Sequence, residues 1–184
     1  MITIPQPAMV LNAEDVPGPD YKMWNSRKVK EAEDPKWVMI NVASIAKAAT
    51  GGKLKALVIN CHGYYAVLKE HKYWFDEKGG GFGLGIGTGI TRANVDLVMG
   101  EIKGLVDDIW LVACGAAQIS QAGGAGDGNL FCGSMAKATG ANVYASTAKQ
   151  STGLWPTIPY GKIDGYEGDV YKYKPDGSNE LTNY

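Results

Sequence analysis

Two short stretches hold residues able to do covalent chemistry. One runs Ala56-Leu57-Val58-Ile59-Asn60-Cys61-His62-Gly63, an apolar segment ending in an imidazole and a glycine. The other runs Ile109-Trp110-Leu111-Val112-Ala113-Cys114-Gly115, an apolar segment ending in a thiol and a glycine. A thiolate attacks carbonyl carbon readily, and an imidazole can carry the protons that such an attack must move. The interval, 114 − 62 = 52 residues, leaves room for an intervening strand and a crossover helix. Each residue has a plainer use when read alone. A strand-end histidine is often a hydrogen-bonded edge residue, and a free cysteine is often a small buried hydrophobe. Their order and interval together favour a Cys114–His62 dyad.

Such a dyad needs two neighbouring strands that end at the same rim. Open parallel sheets place ligand chemistry at the carboxyl ends of their strands, and adjacent strands lie only about 4.8 Å apart. Lys55 to Cys61 reads as a strand buried on both faces, because its apolar run is continuous. Ile109 to Ala113 reads as a second strand, and Asn142 to Ala145 as a third. Helical spacing falls between them. One helix is expected after Asn41, with Val42, Ile45, Ala46 and Ala49 inward and Gly51-Gly52 as its stop. A second is expected from Thr91 through Val106, and a third from Asn129 to Gly140. Alternating strands and helices predict an α/β domain, a mostly parallel sheet with helices on both faces. Residues 1–36, with five prolines, read as an extended arm wrapping the surface, 37–150 as the α/β core, and 151–184 as a tyrosine- and glycine-rich β tail. All 184 residues read as one domain. Asp169 to Gly177 alternates and ends in a turn, which predicts a C-terminal hairpin at an end or edge.

An apolar strand ending in His-Gly, followed about 50 residues later by one ending in Ala-Cys, resembles the caspase-type cysteine peptidases. That group includes caspases, legumain, gingipain, clostripain, separase and the self-cleaving cysteine-peptidase domains of RTX toxins. The likeness covers roughly residues 40–146 and is nearest in pattern to the bacterial members. It implies a caspase-like three-layer sandwich acting as a hydrolase, a thiol protease that cleaves peptide bonds through a thioester acyl-enzyme. By resemblance His62 is the general acid/base and Cys114 the nucleophile. The backbone N–H groups of Gly63 and Cys114 form the oxyanion hole. The specificity pocket falls near Ala145 to Thr152. Val112 stands where caspases carry glutamine, and both arginines, Arg27 and Arg92, lie outside the motifs, which argues against aspartate specificity. The same likeness fits a catalytically silent caspase-like binding or regulatory module.

The other distinctive residues read more blandly. Gly81, Gly83, Gly85, Gly87 and Gly89 alternate with Phe82, Leu84, Ile86 and Thr88, giving one apolar face and one bare face that a backbone or ligand could approach. A small-molecule binder using that strand is therefore a further alternative, although no phosphate-loop spacing fits. Cys61 should point into the core, Cys132 should be packing, and His71 should be a solvated loop residue. No zinc spacing appears, so neither a metal nor an organic cofactor is expected. The glycine loop at 121–128 reads as a gating loop or an ordinary connection. The aromatic residues of 155–173 read as a recognition surface or a cover for the sheet edge.

The expected partner is a protein or peptide substrate. A net charge of −1 without a basic stripe argues against nucleic acid, and no apolar stretch is long enough to span a membrane. An odd count of three cysteines and no secretory signal at the N-terminus predict a reducing cytoplasm. Export without an N-terminal signal is compatible with the same sequence.

Overall fold

The computed structural model describes residues 1–65, 82–119, 122–123, 127–151 and 156–184. Along the chain run β1 (Ile2–Thr3), β2 (Ala8–Ala13), β3 (Asn25–Val29), α1 (Pro35–Ala48), β4 (Leu54–Asn60), β5 (His62–Tyr65), β6 (Phe82–Gly85), β7 (Ile90–Thr91), α2 (Val95–Met99), β8 (Val106–Val112), α3 (Gly128–Thr139), β9 (Asn142–Ser146), β10 (Lys162–Ile163), β11 (Val170–Tyr173) and β12 (Asn179–Leu181).

The main sheet has seven strands in the order β12-β11-β9-β8-β4-β2-β3. From β9 to β3 the strands are parallel, while β11 and β12 run antiparallel. The chain is thus α/β with a mostly parallel sheet, and its C-terminal hairpin forms one edge.

The helices do not lie on both faces. Side chains of α1, α2 and α3 share one core with Met9, Leu11, Leu57, Ile59, Ile109, Leu111 and Val143. Val10, Ala56, Val58, Trp110 and Tyr144 face the other way, under Ile4, Tyr21, Met23, Ile158 and Ile163. The hand of the crossovers explains this. From β3 through β4 and β8 to β9 the chain travels one way across the sheet, and the described helices all lie in those three connections. Right-handed crossovers that travel one way land on one face. The step from β2 to β3 goes backwards and falls on the opposite face. Its residues, 14–24, include Pro17, Gly18 and Pro19 and form no helix. The third layer is therefore irregular chain with the small β1–β10 ribbon.

Nor is the N-terminal segment only an arm. β2 is an interior strand between β3 and β4, buried at all six residues. Prolines before and after a strand do not bar it; only one inside would remove a ladder donor. The run Ala8-Met9-Val10-Leu11-Asn12-Ala13 carries the same doubly buried signature as β4.

Helix starts differ from expectation for a local reason. Asp34 caps α1 by accepting from the Lys36 N–H at 2.8 Å, with Pro35 at the first helical position, so Asn41 sits mid-helix. The helix expected over 91–106 shrinks to Val95–Met99 and a 3-10 turn at Gly100–Ile102, then ends at Gly104, whose φ is +75°. Asp127 rather than Asn129 caps α3, which closes as expected on Gly140 with φ +72°.

Candidate active site

The interval between His62 and Cys114 is a register offset. β4 and β8 are parallel neighbours, with Asn60 opposite Val112. Their offset, 112 − 60 = 52, equals 114 − 62 = 52, so His62 and Cys114 each lie two residues beyond a pair of facing strand ends. The Cys61 N–H donates to the Val112 carbonyl at 3.2 Å, carrying the pairing one step further. A Cβ built on Gly63 would lie 2.1 Å from the Cys114 carbonyl oxygen and 2.9 Å from both its nitrogen and its carbonyl carbon. The two backbones are therefore in direct contact, and residue 63 has no room for a side chain. His62 and Cys114 are each half-buried at this rim.

β5 turns away from the main sheet and pairs antiparallel with β6, His62 facing Gly85 and Gly63 facing Leu84. β6 pairs in turn with β7. The glycine-rich strand thus backs the histidine strand, and Leu84 and Ile86 anchor it in the helix-side core. The close approach expected at its bare face is made by this chain's own backbone. A Cβ on Gly87 would lie 2.3 Å from the Glu33 carbonyl, which accepts from the Thr88 N–H at 2.8 Å.

The imidazole meets the segment after β2. His62 Nε2 lies 3.1 Å from the Asp15 carbonyl oxygen. A carbonyl only accepts, so Nε2 bears the hydrogen and the neutral ring keeps its lone pair on Nδ1. Asp15 belongs to the segment after β2, and Asn12 ties that segment down. Asn12 Nδ2 donates to the Tyr21 carbonyl at 3.0 Å, and the Tyr21 N–H donates to Asn12 Oδ1 at 3.1 Å. Asn60 Nδ2, on the register partner of Asn12, donates to the same Oδ1 at 3.0 Å. Burial pushes the Tyr21 hydroxyl up to about 12, so it stays protonated throughout the neutral range.

Asn12→Ala would leave the Asn60 amide and both Tyr21 backbone groups without these partners. An orphaned buried polar group costs roughly 1–3 kcal/mol, so we expect a loss of about 3 kcal/mol, read as a lower urea midpoint at unchanged m-value.

Cys114 meets the segment after β9. The Gln150 N–H donates to Cys114 Sγ at 3.3 Å, and Sγ lies 3.8 Å from the Gln150 carbonyl oxygen. Gly115, with φ +61°, donates its N–H to the Ala148 carbonyl at 2.7 Å. The other two cysteines lie elsewhere. Cys61 packs in the helix-side core as expected, and burial, helped by the Asp15 carboxylate, pushes its thiol far up. Cys132 is fully buried on α3, its thiol likewise pushed far up by burial and donating to the Ala116 carbonyl at 3.3 Å. Iodoacetamide at neutral pH should therefore label Cys114 first, with Cys61 and Cys132 labelled only after denaturation, as mass spectrometry of the peptides would read.

The contacts of Asp15, Asn12, Asn60 and Gln150 were not anticipated from the sequence. A faint signal existed for two of them, since Asn12 and Asn60 are the polar residues near the ends of otherwise apolar runs. His71, Thr152, Trp155 and much of the 121–128 loop lie outside the described residues. Among the described residues no group of three or more His, Cys, Asp or Glu could hold a metal ion. Among them, too, no helix is long and apolar enough to cross a membrane. No family model, curated protein or solved structure matches this chain.

Proposed function

We propose that this chain is a cysteine endopeptidase-type hydrolase of the caspase-like kind, with Cys114 as nucleophile and His62 as general acid/base. The observation that carries the reading is the backbone contact between Gly63 and Cys114, just beyond the carboxyl ends of the adjacent parallel strands β4 and β8. The tautomer held by the Asp15 carbonyl supports it, because Nδ1 is then the ring atom that accepts the thiol proton.

In this reading Cys114 Sγ passes its proton to His62 and attacks the scissile carbonyl carbon. The developing oxyanion takes the N–H groups of Gly63 and Cys114. The intermediate collapses as His62 returns the proton to the leaving amine, leaving a thioester on Cys114. His62 then takes a proton from water, whose oxygen attacks the thioester and frees the acid and the thiol. Three free cysteines suit a reducing compartment, where Cys114 stays available.

A peptide-library cleavage assay on wild type, Cys114→Ala and His62→Ala tests the mechanism. Cleavage by wild type that is lost in both variants supports it; cleavage that survives in Cys114→Ala overturns it. The second reading, a silent binding module, draws on the Gln150 backbone lying against the sulfur, and wild type that cleaves no library member would favour it.

A further inference from the structure

We propose that Gln150 is a positioning residue for Cys114, fixing a backbone N–H on the sulfur so that the contact favours the thiolate; the proposal rests on the cysteine-hydrolase reading of the same site. The carboxamide of Gln150 makes three bonds. Nε2 donates to the Ala148 carbonyl and to the Glu167 carbonyl, each at 3.1 Å, and Oε1 accepts from the Glu167 N–H at 3.2 Å. The neighbouring peptide is tied to the same place, because the Ser151 N–H donates to Glu167 Oε2 at 3.2 Å. On the other side Ser146 Oγ donates to the Glu167 carbonyl and accepts from the Ala148 N–H. The Ala148 carbonyl also accepts from Gly115, so the turn that carries Cys114 is fastened to the same segment. Both flanks of residue 150 are thus anchored, and its N–H has one direction to point.

That direction is the sulfur, at 3.3 Å. The Gln150 backbone can serve either protonation state. A thiol can donate to the carbonyl oxygen 3.8 Å away, and a thiolate accepts from the N–H. A hydrogen bond to an ionised acceptor is about twice as strong as one to a neutral acceptor, so a fixed N–H shifts the balance toward the charged nucleophile. Among the described residues, the titratable groups on the elements around the sulfur are His62 on β5, Cys61 after β4, Asp15 after β2, Glu167 before β11 and the exposed Lys149. Substituting Gln150 adds or removes no charge among these groups, although it takes two backbone bonds from Glu167.

The test is the pH dependence of iodoacetamide alkylation at Cys114, read residue by residue in wild type and Gln150→Ala. With the carboxamide gone the segment that holds the N–H loses three of its anchoring bonds. Alkylation should slow about ten-fold at pH 7, yet by less than about two-fold at pH 10, above the ordinary thiol range of about 8.5. A purely structural loss would not depend on pH in this way. Equal slowing at both pH values, or none at either, overturns the proposal. Should the variant fail to fold, shown by labelling of Cys61 and Cys132, the wild type decides. Its Gln150 amide resonance must shift with pH in step with Cys114 alkylation and lose that shift in Cys114→Ala; an amide that ignores the ionisation overturns the proposal. Alkylation needs no peptide substrate, so a failed cleavage assay and a failed positioning role remain distinguishable.

Discussion

Cys114→Ala should lose on the order of 10⁴-fold or more in peptide cleavage while the protein stays folded. In the proposed mechanism the sulfur is the atom that bonds to the substrate carbonyl, and alanine offers nothing in its place. The stability cost should be small, about 1 kcal/mol, because a half-buried thiol gives up one weak bond from the Gln150 N–H. His62→Ala should fall by about 10²–10⁴-fold, the usual worth of a positioned general acid/base. Residues that act as a unit are non-additive, so the double variant should be no worse than Cys114→Ala alone. Steady-state kinetics beside a urea melt checks each clause. A large drop in melting stability accompanying the lost activity would point to a scaffolding thiol instead.

Gly63→Ala should be the most damaging one-carbon change in the site. Its Cβ would sit 2.1 Å from the Cys114 carbonyl oxygen, and that atom belongs to backbone, so no flexible side chain can yield. The chain at 63 or the turn at 114 must move by about 1 Å, and overpacking of this kind costs roughly 1–3 kcal/mol. A displacement of that size between reacting groups can cost about 10²-fold in rate. Gly133→Ala is the matched contrast. It lies within α3, where an added Cβ meets nothing within 4 Å. There alanine should stabilise by about 0.5–1 kcal/mol through helix propensity and leave cleavage unchanged. Denaturation midpoints and kcat/KM for the two variants would separate close backbone approach from any general intolerance of glycine substitution.

Much of the architecture is legible in the sequence. Lys55 to Cys61 and Ile109 to Ala113 stand out because a doubly buried strand needs an unbroken apolar run, and both became neighbouring parallel strands. β2 carries the same kind of run, yet the prolines around it drew it into an arm. The pair Asp34-Pro35 starts α1, but it sat inside the segment read as extended chain. Helices on both faces fail to form because the three helix-bearing crossovers all step the same way across the sheet, and right-handed crossovers of that kind share a face.

The residue types and the 52-residue spacing single out Cys114 and His62 as candidates, since strand length, crossover length and the chemistry of thiol and imidazole are all local properties. Folding alone determined that the spacing is a register offset, that residue 63 touches residue 114, and that Asp15 and Gln150 reach the ring and the sulfur. Those contacts join backbone atoms far apart in the chain. A peptide N–H or carbonyl is the same whatever its side chain, so no residue letter marks it in advance.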